Sequence, residues 1–247
     1  MCHIVRTMTL ERKLDGPDIV EMSENVFSPW FAKMWNQGEH CVVLGPTGSG
    51  KTRYTSTILA IRSYVCVLAV KAHDDTLEQF KQRGYRLITH WPPPDYKMRH
   101  VILWIKPKSL TATKTQSIAI SEALESMYLS GGWCIYFDEA GYIAGHLKLD
   151  QELGILLNQG RSSGISVVCS MTRPHSVVGK VPLETLNQTR HQLIFKYQDE
   201  REIEACSKIT GLSKSLMIYY MRQLKTYKEG HTDFIYVGKG YVILVRR

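Results

Sequence analysis

No stretch of this chain is apolar for long enough to cross a bilayer. The longest apolar runs, such as Tyr64–Val70 and Trp133–Phe137, fall far short of the ~20 residues a membrane helix needs. Residues Met1–Val20 carry Arg6, Glu11, Arg12, Lys13, Asp15 and Asp18, so the apolar core of a secretory signal is missing. Six cysteines (Cys2, Cys41, Cys66, Cys134, Cys169 and Cys206) are scattered without a Cys-x-x-Cys pair. Nine histidines show no His-x-x-x-His spacing and no pairing with those cysteines. Neither a zinc centre nor a disulfide framework is expected from that pattern. Repeats at solenoid periods and low-complexity tracts are also missing.

What is there is an ordinary globular composition with a basic surplus. Of 247 residues, 44% are apolar and 22% charged, and Lys plus Arg number 31 against 23 for Asp plus Glu, a net charge of +8. These values exclude a disordered or fibrous chain and suit a polyanion partner or a phosphate-bearing ligand. Four of the cysteines sit in apolar, strand-like runs, as expected of reduced core residues in a cytoplasmic protein. No linker is visible, so a single domain over residues 1–247 is expected, with residues 1–30 as an amino-terminal extension.

Along the chain, short apolar runs alternate with helical patterns. Strands are expected at Cys41–Leu44, Val65–Val70, Val101–Ile105, Trp133–Phe137, Ser166–Cys169 and Gln192–Tyr197. Helices are expected at Lys51–Ile61, Asp75–Arg83, Thr115–Tyr128, Leu147–Gln159 and Glu200–Thr210. Continuously apolar strands between helices predict an α/β fold with a mainly parallel sheet covered on both faces. Thr232–Val237 and Gly240–Val245, joined through Gly238-Lys239, predict a carboxy-terminal β-hairpin. Trp91-Pro92-Pro93-Pro94 cannot continue a helix or a central strand, so residues 84–107 are expected to leave the core as an insertion or loop excursion.

The strongest motif is Gly45-Pro46-Thr47-Gly48-Ser49-Gly50-Lys51-Thr52, a full match to G-x-x-x-x-G-K-[ST]. It follows the apolar run Cys41–Leu44 and precedes a helical pattern, which is the strand–loop–helix setting the motif requires. Glycines let backbone N–H groups turn toward phosphate oxygens at a helix amino terminus. Lys51 is expected to reach the β- and γ-phosphates of a nucleotide, the Thr52 hydroxyl to ligate Mg²⁺, and Arg53 to follow the loop at the nucleotide.

A second element narrows the chemistry. Trp133–Phe137 ends in the adjacent acids Asp138 and Glu139. Asp138 can hold Mg²⁺ next to Thr52, while Glu139 can orient or deprotonate an attacking water. Between Thr52 and Asp138 there is room for Val65–Val70 and Val101–Ile105 as intervening strands. That matches the P-loop division in which a further strand separates the phosphate-loop strand from the Asp-Glu strand.

On these residues the chain resembles the FtsK–HerA family of DNA-pumping ATPases. Trp35-Asn36-Gln37-Gly38-Glu39-His40 leading into Gly45–Thr52, the Asp138-Glu139-Ala140 site, and Gln159-Gly160-Arg161-Ser162-Ser163-Gly164-Ile165 followed by Val167–Pro174 all resemble its motifs. Leu224 through Tyr236 is similar to its closing segment, so the likeness spans most of residues 30–247. It implies a RecA-like P-loop fold, ATP and Mg²⁺, and a homo-oligomeric, six-membered ring that moves double-stranded DNA without sequence preference. It also implies that Arg161 acts as an arginine finger in a neighbouring subunit, with Arg173 as its rival. Where the family usually has Gln before Arg-Pro, this chain has Thr172, a shorter candidate for sensing the γ-phosphate.

Lys81–Lys114 adds Lys81, Arg83, Arg86, Lys97, Arg99, Lys106, Lys108 and Lys114, interleaved with Tyr85, Trp91, Tyr96 and Trp104. Such a stretch suits backbone contacts to nucleic acid, or equally a core whose lysines are solvated around it. A second basic stretch, Lys208 to Arg247, could face DNA or an acidic neighbour in a ring. Two other classes fit the phosphate loop: a P-loop kinase for a small metabolite, and an ATPase of virion or secretion assembly.

Overall fold

The computed structural model describes residues 20–93, 97–107, 113–177, 186–187, 189–228 and 231–247. Most of the amino-terminal extension, residues 1–19, and Cys2 with it, lies outside them.

The apolar runs form strands because side chains buried on both faces leave no polar side to present. They assemble a ten-stranded sheet. From one edge the order is Val20–Ser23 (β1), Tyr241–Arg246 (β12), Phe234–Gly238 (β11), His191–Phe195 (β8) and Cys41–Leu44 (β2). It continues through Ser166–Met171 (β7), Cys134–Phe137 (β6), Val65–Ala69 (β3), His100–Trp104 (β5) and Arg86–Ile88 (β4). From β8 to β4 all neighbours are parallel. Only β11 runs against its two neighbours, β8 and β12. Every residue of β2, β3, β6, β7 and β8 is buried, which is why β2, β3 and β6 read as unbroken apolar runs.

Alternation along the strands divides the interior into two layers. Cys41 and Val43 face one side, with Phe27 and Phe31 of helix α1 (Glu24–Met34), Tyr54, Ile58 and Leu59 of α2 (Lys51–Leu59), and Leu77 and Phe80 of α3 (Leu77–Lys81). Val42 and Leu44 face the other, under α4 (Lys114–Ser130), α5 (Ala140–Gly145) and α6 (Asp150–Gln159). That second layer continues under Glu200–Thr210 and Lys214–Gln223. The five described cysteines are free and buried.

Several expectations change in detail. The strand standing between β2 and β6 is β7, from later in the chain, whereas β3 and β5 lie beyond β6. The helix expected from Leu147 starts at Asp150, because Lys148 takes a left-handed conformation (φ 55°) that ends any helical run. The hairpin turns on Lys239 and Gly240, both at positive φ, one residue later than expected, as a two-residue turn between twisted strands requires. Residues 84–107 do not leave the core as a whole: β4 and β5 pair at the sheet edge, and Trp91 packs on Trp133 with ring centroids 5.2 Å apart. Helix α1 is hidden in the sequence by Pro29 within it, and Lys214–Gln223 by its nearly continuous apolar stretch Leu216–Met221, which reads as a strand. The latter starts as a helix because Ser213 Oγ accepts from the Leu216 N–H at 3.3 Å.

A buried polar cluster fastens the edge of the sheet from which β2 and β8 start. His191 Nε2–H donates to Glu39 Oε2 at 3.0 Å, and the Tyr236 hydroxyl donates to His191 Nδ1 at 2.9 Å. Lys239 Nζ lies 2.8 Å from the same Glu39 oxygen. Burial favours neutral His191 and lowers its pKa from 6.5 to about 4. Burial opposes ionisation of Glu39, but hydrogen bonds from His191, Lys239 and the Asn36 N–H outweigh it and bring its pKa to about 2.

Both shifts act in one direction. The unfolded chain takes up a proton at His191 near pH 6.5 and at Glu39 near pH 4.5, before the folded chain does, so acid favours unfolding. Urea unfolding should therefore show stability falling from pH 6.5 to 4 and again toward pH 2. His191→Gln should be less stable at pH 7 yet flatter between pH 6.5 and 4; an unchanged slope in that window would dissociate it from His191.

Candidate active site

The phosphate loop leaves the carboxyl end of β2 and enters α2. Gly45 has no room for a side chain: a Cβ there would lie 2.7 Å from Phe195 Cβ and 2.8 Å from Ser49 Oγ. Gly48 and Gly50 take φ values of 78° and 91°, which glycine alone adopts without strain. The loop is stitched by the Gly45 N–H to Met171 O at 3.2 Å and the Ser49 N–H to Pro46 O at 3.3 Å. Lys51 folds back over it and donates to the carbonyls of Gly45 (2.5 Å) and Pro46 (3.0 Å). Burial lowers the Lys51 pKa to about 8, against the pull of Glu139 and Asp138.

The sheet order brings the paired acids to the same edge. Asp138 is only 8% exposed. Its Oδ1 accepts from the buried Tyr136 hydroxyl at 2.7 Å and lies 3.4 Å from Thr52 Oγ1. Its Oδ2 faces Lys71 Nζ at 3.2 Å, and the same ammonium lies 3.8 Å from Glu139 Oε1. Glu139 Oε1 also accepts from Thr172 Oγ1 at 3.2 Å. Burial raises the Glu139 pKa, only partly offset by Lys71, a direction that suits a proton acceptor. The backbone behind Thr172 is fixed by Tyr197, whose hydroxyl donates to Thr172 O at 3.1 Å.

A cleft of about 820 Å³ opens over the loop, between Pro46–Ser49 on one side and Thr172, Arg173, Lys196 and Tyr197 on the other. That size is within the range of small-ligand sites. The Ser49 hydroxyl is buried in its lining without a hydrogen-bond partner. Thr52 and Asp138 offer hard oxygen donors, and no group of three or more His, Cys, Asp or Glu forms a metal cage among the described residues. A two-oxygen set fits Mg²⁺, which keeps waters and is usually held together with substrate phosphates.

Gly45 to Thr52, Asp138, Glu139 and Thr172 are thus brought to one edge. Arg53 turns aside, its guanidinium against His231 of a two-stranded ribbon formed by Thr226–Lys228 (β9) and His231–Thr232 (β10). Arg161 lies at the opposite end of the strands, where β7 begins. It sits in the short 3-10 turn Gly160–Ser163 that precedes β7, so β7, of six residues, separates it from the loop of its own chain by roughly 20 Å. Arg173 follows β7 and lines the cleft.

The interleaved aromatics of the basic stretch behave as packing residues. Tyr85 is buried and stacked on His100, Trp91 packs on Trp133, and Trp104 Nε1 donates to Lys71 O. Tyr96 and Lys108 lie outside the described residues. In the second basic stretch Lys208, Lys214, Lys239, Arg246 and Arg247 form ion pairs within the chain.

Sequence reasoning missed Lys71, Tyr136 and Tyr197. Tyr136 was within reach, since residues two apart on a strand share a face. Lys71 was not, because only the pairing of β3 with β6 sets it beside the acids.

No family model matches the sequence, and no curated protein does. Solved structures do match the fold. The genome packaging NTPase B204 of Sulfolobus turreted icosahedral virus 2, in complex with AMPPCP, superposes with a TM-score of 0.60 at 16% identity, over 85% of this chain and 97% of that one. VirB4 of Thermoanaerobacter pseudethanolicus gives 0.60 at 9% identity, over 84% and 88%. The cytoplasmic domain of the type VII secretion ATPase EccC of Thermomonospora curvata gives 0.53 at 11% identity, over 85% of this chain and 25% of that one. The chain therefore has the P-loop NTPase fold of these proteins.

Adding a methyl at the loop tests how closely it is packed. Gly45→Ala must push Phe195 or Ser49 aside, at a cost of about 1–3 kcal/mol in stability. Its nucleotide affinity, measured by titration with a fluorescent ATP analogue, should fall at least about tenfold; affinity equal to the parent's would show that the loop does not bind phosphate.

Proposed function

We propose that this chain hydrolyses Mg-ATP and, assembled in a ring, moves double-stranded DNA. The observation that carries the ATPase reading is the convergence of the loop, Asp138, Glu139 and Thr172 on one edge of the sheet. The loop N–H groups and the α2 amino terminus bind the phosphates, and Lys51 exchanges its loop carbonyls for the β- and γ-oxygens. Thr52 and Asp138 would hold Mg²⁺, which neutralises charge on those oxygens when bound. Glu139, partly dehydrated and aimed by Thr172, accepts the proton of the attacking water. Thr172 thereby serves the acid as well as the phosphate end, in spite of its short reach.

Arg161 acts on a neighbour's nucleotide, a reading supported by the length of β7 that separates it from its own phosphate loop. An arginine delivered in trans stabilises the charge that develops on the transferred phosphoryl group, and it links hydrolysis to ring assembly. Exposed Lys81, Arg83, Arg86, Lys106 and Lys114 supply charge for phosphate contacts without sequence preference. The likeness to a viral genome packaging NTPase supports DNA as the cargo.

A second reading, an ATPase of secretion or virion assembly, draws on the burial of Tyr85 and the packing of half-buried Trp91 and Trp104 against the sheet, which leaves little of these rings for stacking on bases. Duplex DNA discriminates between the two. Under the leading reading, ATP turnover rises with added duplex, and the stimulation falls steeply across a salt series; indifference to DNA at every salt concentration favours the second.

Glu139→Gln should keep nucleotide affinity and lose nearly all turnover, whereas activity within about twofold of the parent removes Glu139 from catalysis. Arg161→Ala should suppress hydrolysis in assembled rings. Mixing it with Lys51→Ala subunits should restore part of the rate, because each supplies what the other lacks; no recovery argues against an arginine in trans.

A further inference from the structure

Lys71 has no part in the hydrolysis proposed above, yet it is the side chain that bridges both acids. Its backbone is pinned. Trp104 Nε1 donates to Lys71 O at 2.8 Å, and the buried Gln116 amide donates to Val70 O at 2.9 Å and Ile105 O at 2.5 Å. Its ammonium is not. The side chain is 41% exposed and carries the charge on a flexible four-carbon stem.

Three residues on, Asp74 offers a second seat. Its Oδ1 accepts from the Thr76 N–H (3.1 Å) and hydroxyl (2.5 Å), while its Oδ2 is buried without a partner. An orphaned carboxylate oxygen is costly unless something occupies it in another state. Asp74 is also close enough for its charge to act on Lys71: burial disfavours the ammonium, but Asp138, Asp74 and Glu139 together raise its pKa.

We propose that Lys71 is a place-holding cation for the metal, seated on Asp138 and Glu139 in the nucleotide-free chain and passing to Asp74 Oδ2 when metal and nucleotide arrive. This rests on the ATPase reading. Two adjacent carboxylates with no cation between them repel, and an ammonium on Asp138 Oδ2 repels a divalent ion held between Thr52 and Oδ1 of the same carboxylate, so each cation weakens the hold of the other. The consequence is that bare metal binds weakly and enters together with the nucleotide.

The test uses Mn²⁺ alone as the probe, its binding to the nucleotide-free full chain followed by electron paramagnetic resonance. Lys71→Met, lacking the competitor, should bind Mn²⁺ about threefold to fivefold more tightly than the parent, the scale of one partly exposed ion pair. Asp74→Asn, lacking the second seat, should require at least about threefold more Mn²⁺ than the parent to saturate the complex with a non-hydrolysable ATP analogue. Lys71→Met that binds no more tightly than the parent, including no detectable binding by either, overturns the proposal. So does Asp74→Asn with unchanged Mn²⁺ demand. Lys71→Gln repeats the first measurement should the Met variant fail to fold. Because the first readout needs neither nucleotide nor turnover, it judges Lys71 by itself; a parent chain without ATP turnover rejects the ATPase reading instead.

Discussion

A carboxylate as deeply buried as Asp138 must have its lone pairs occupied, or its charge would oppose the fold. The groups that surround it come from three elements: Tyr136 from its own strand, Thr52 from the helix after the phosphate loop, and Lys71 from the end of β3. Those partners meet only when β7 lies between β2 and β6 and β3 lies on the far side of β6. Asp138 is therefore where the order of the strands becomes chemistry, and the pairing of the central sheet cannot shift without taking the site apart.

The opposite edge of the sheet is built with equal care. Gln37 Nε2 donates to the carbonyls of Gly132 and Gly164, the Gly38 N–H donates to Ser166 Oγ, and His40 Nδ1 accepts from the Val167 N–H. A Cβ on Gly38 would lie 2.9 Å from Arg161 O. Arg62 closes the loop from below, its guanidinium on the Trp35 ring and its N–H groups on the carbonyls of Trp35 and Asn36. Two stretches singled out in the sequence, Trp35–His40 and Gln159–Ile165, are thus halves of one rigid piece that presents Arg161.

Much of this was legible before any coordinates. The loop Gly45–Thr52, the Asp138-Glu139 strand end and the carboxy-terminal hairpin are local patterns: a turn needing glycine, a strand needing apolar residues and closed by two acids, and a chain reversal between two such strands. Each follows from the conformation of a few neighbouring residues. Residue-by-residue periodicity failed where neighbours mislead, as at Pro29 inside α1 and the apolar stretch Leu216–Met221 inside a helix, because burial against the sheet overrides intrinsic preference.

By itself the sequence determined an α/β chain with a phosphate loop, a carboxylate pair and a basic surplus, since each is written in a short contiguous run. Tertiary structure decided which strand separates loop from acids, that Lys71 and Tyr136 hold Asp138, that Thr172 reaches Glu139, and that Arg161 lies at the opposite end of β7 from the loop. It also buried Tyr85 and packed Trp91 and Trp104 partly against the core. The physical reason is sequence separation: strand order and side-chain partnering depend on which apolar faces bury each other across tens of residues, and no local pattern records that choice.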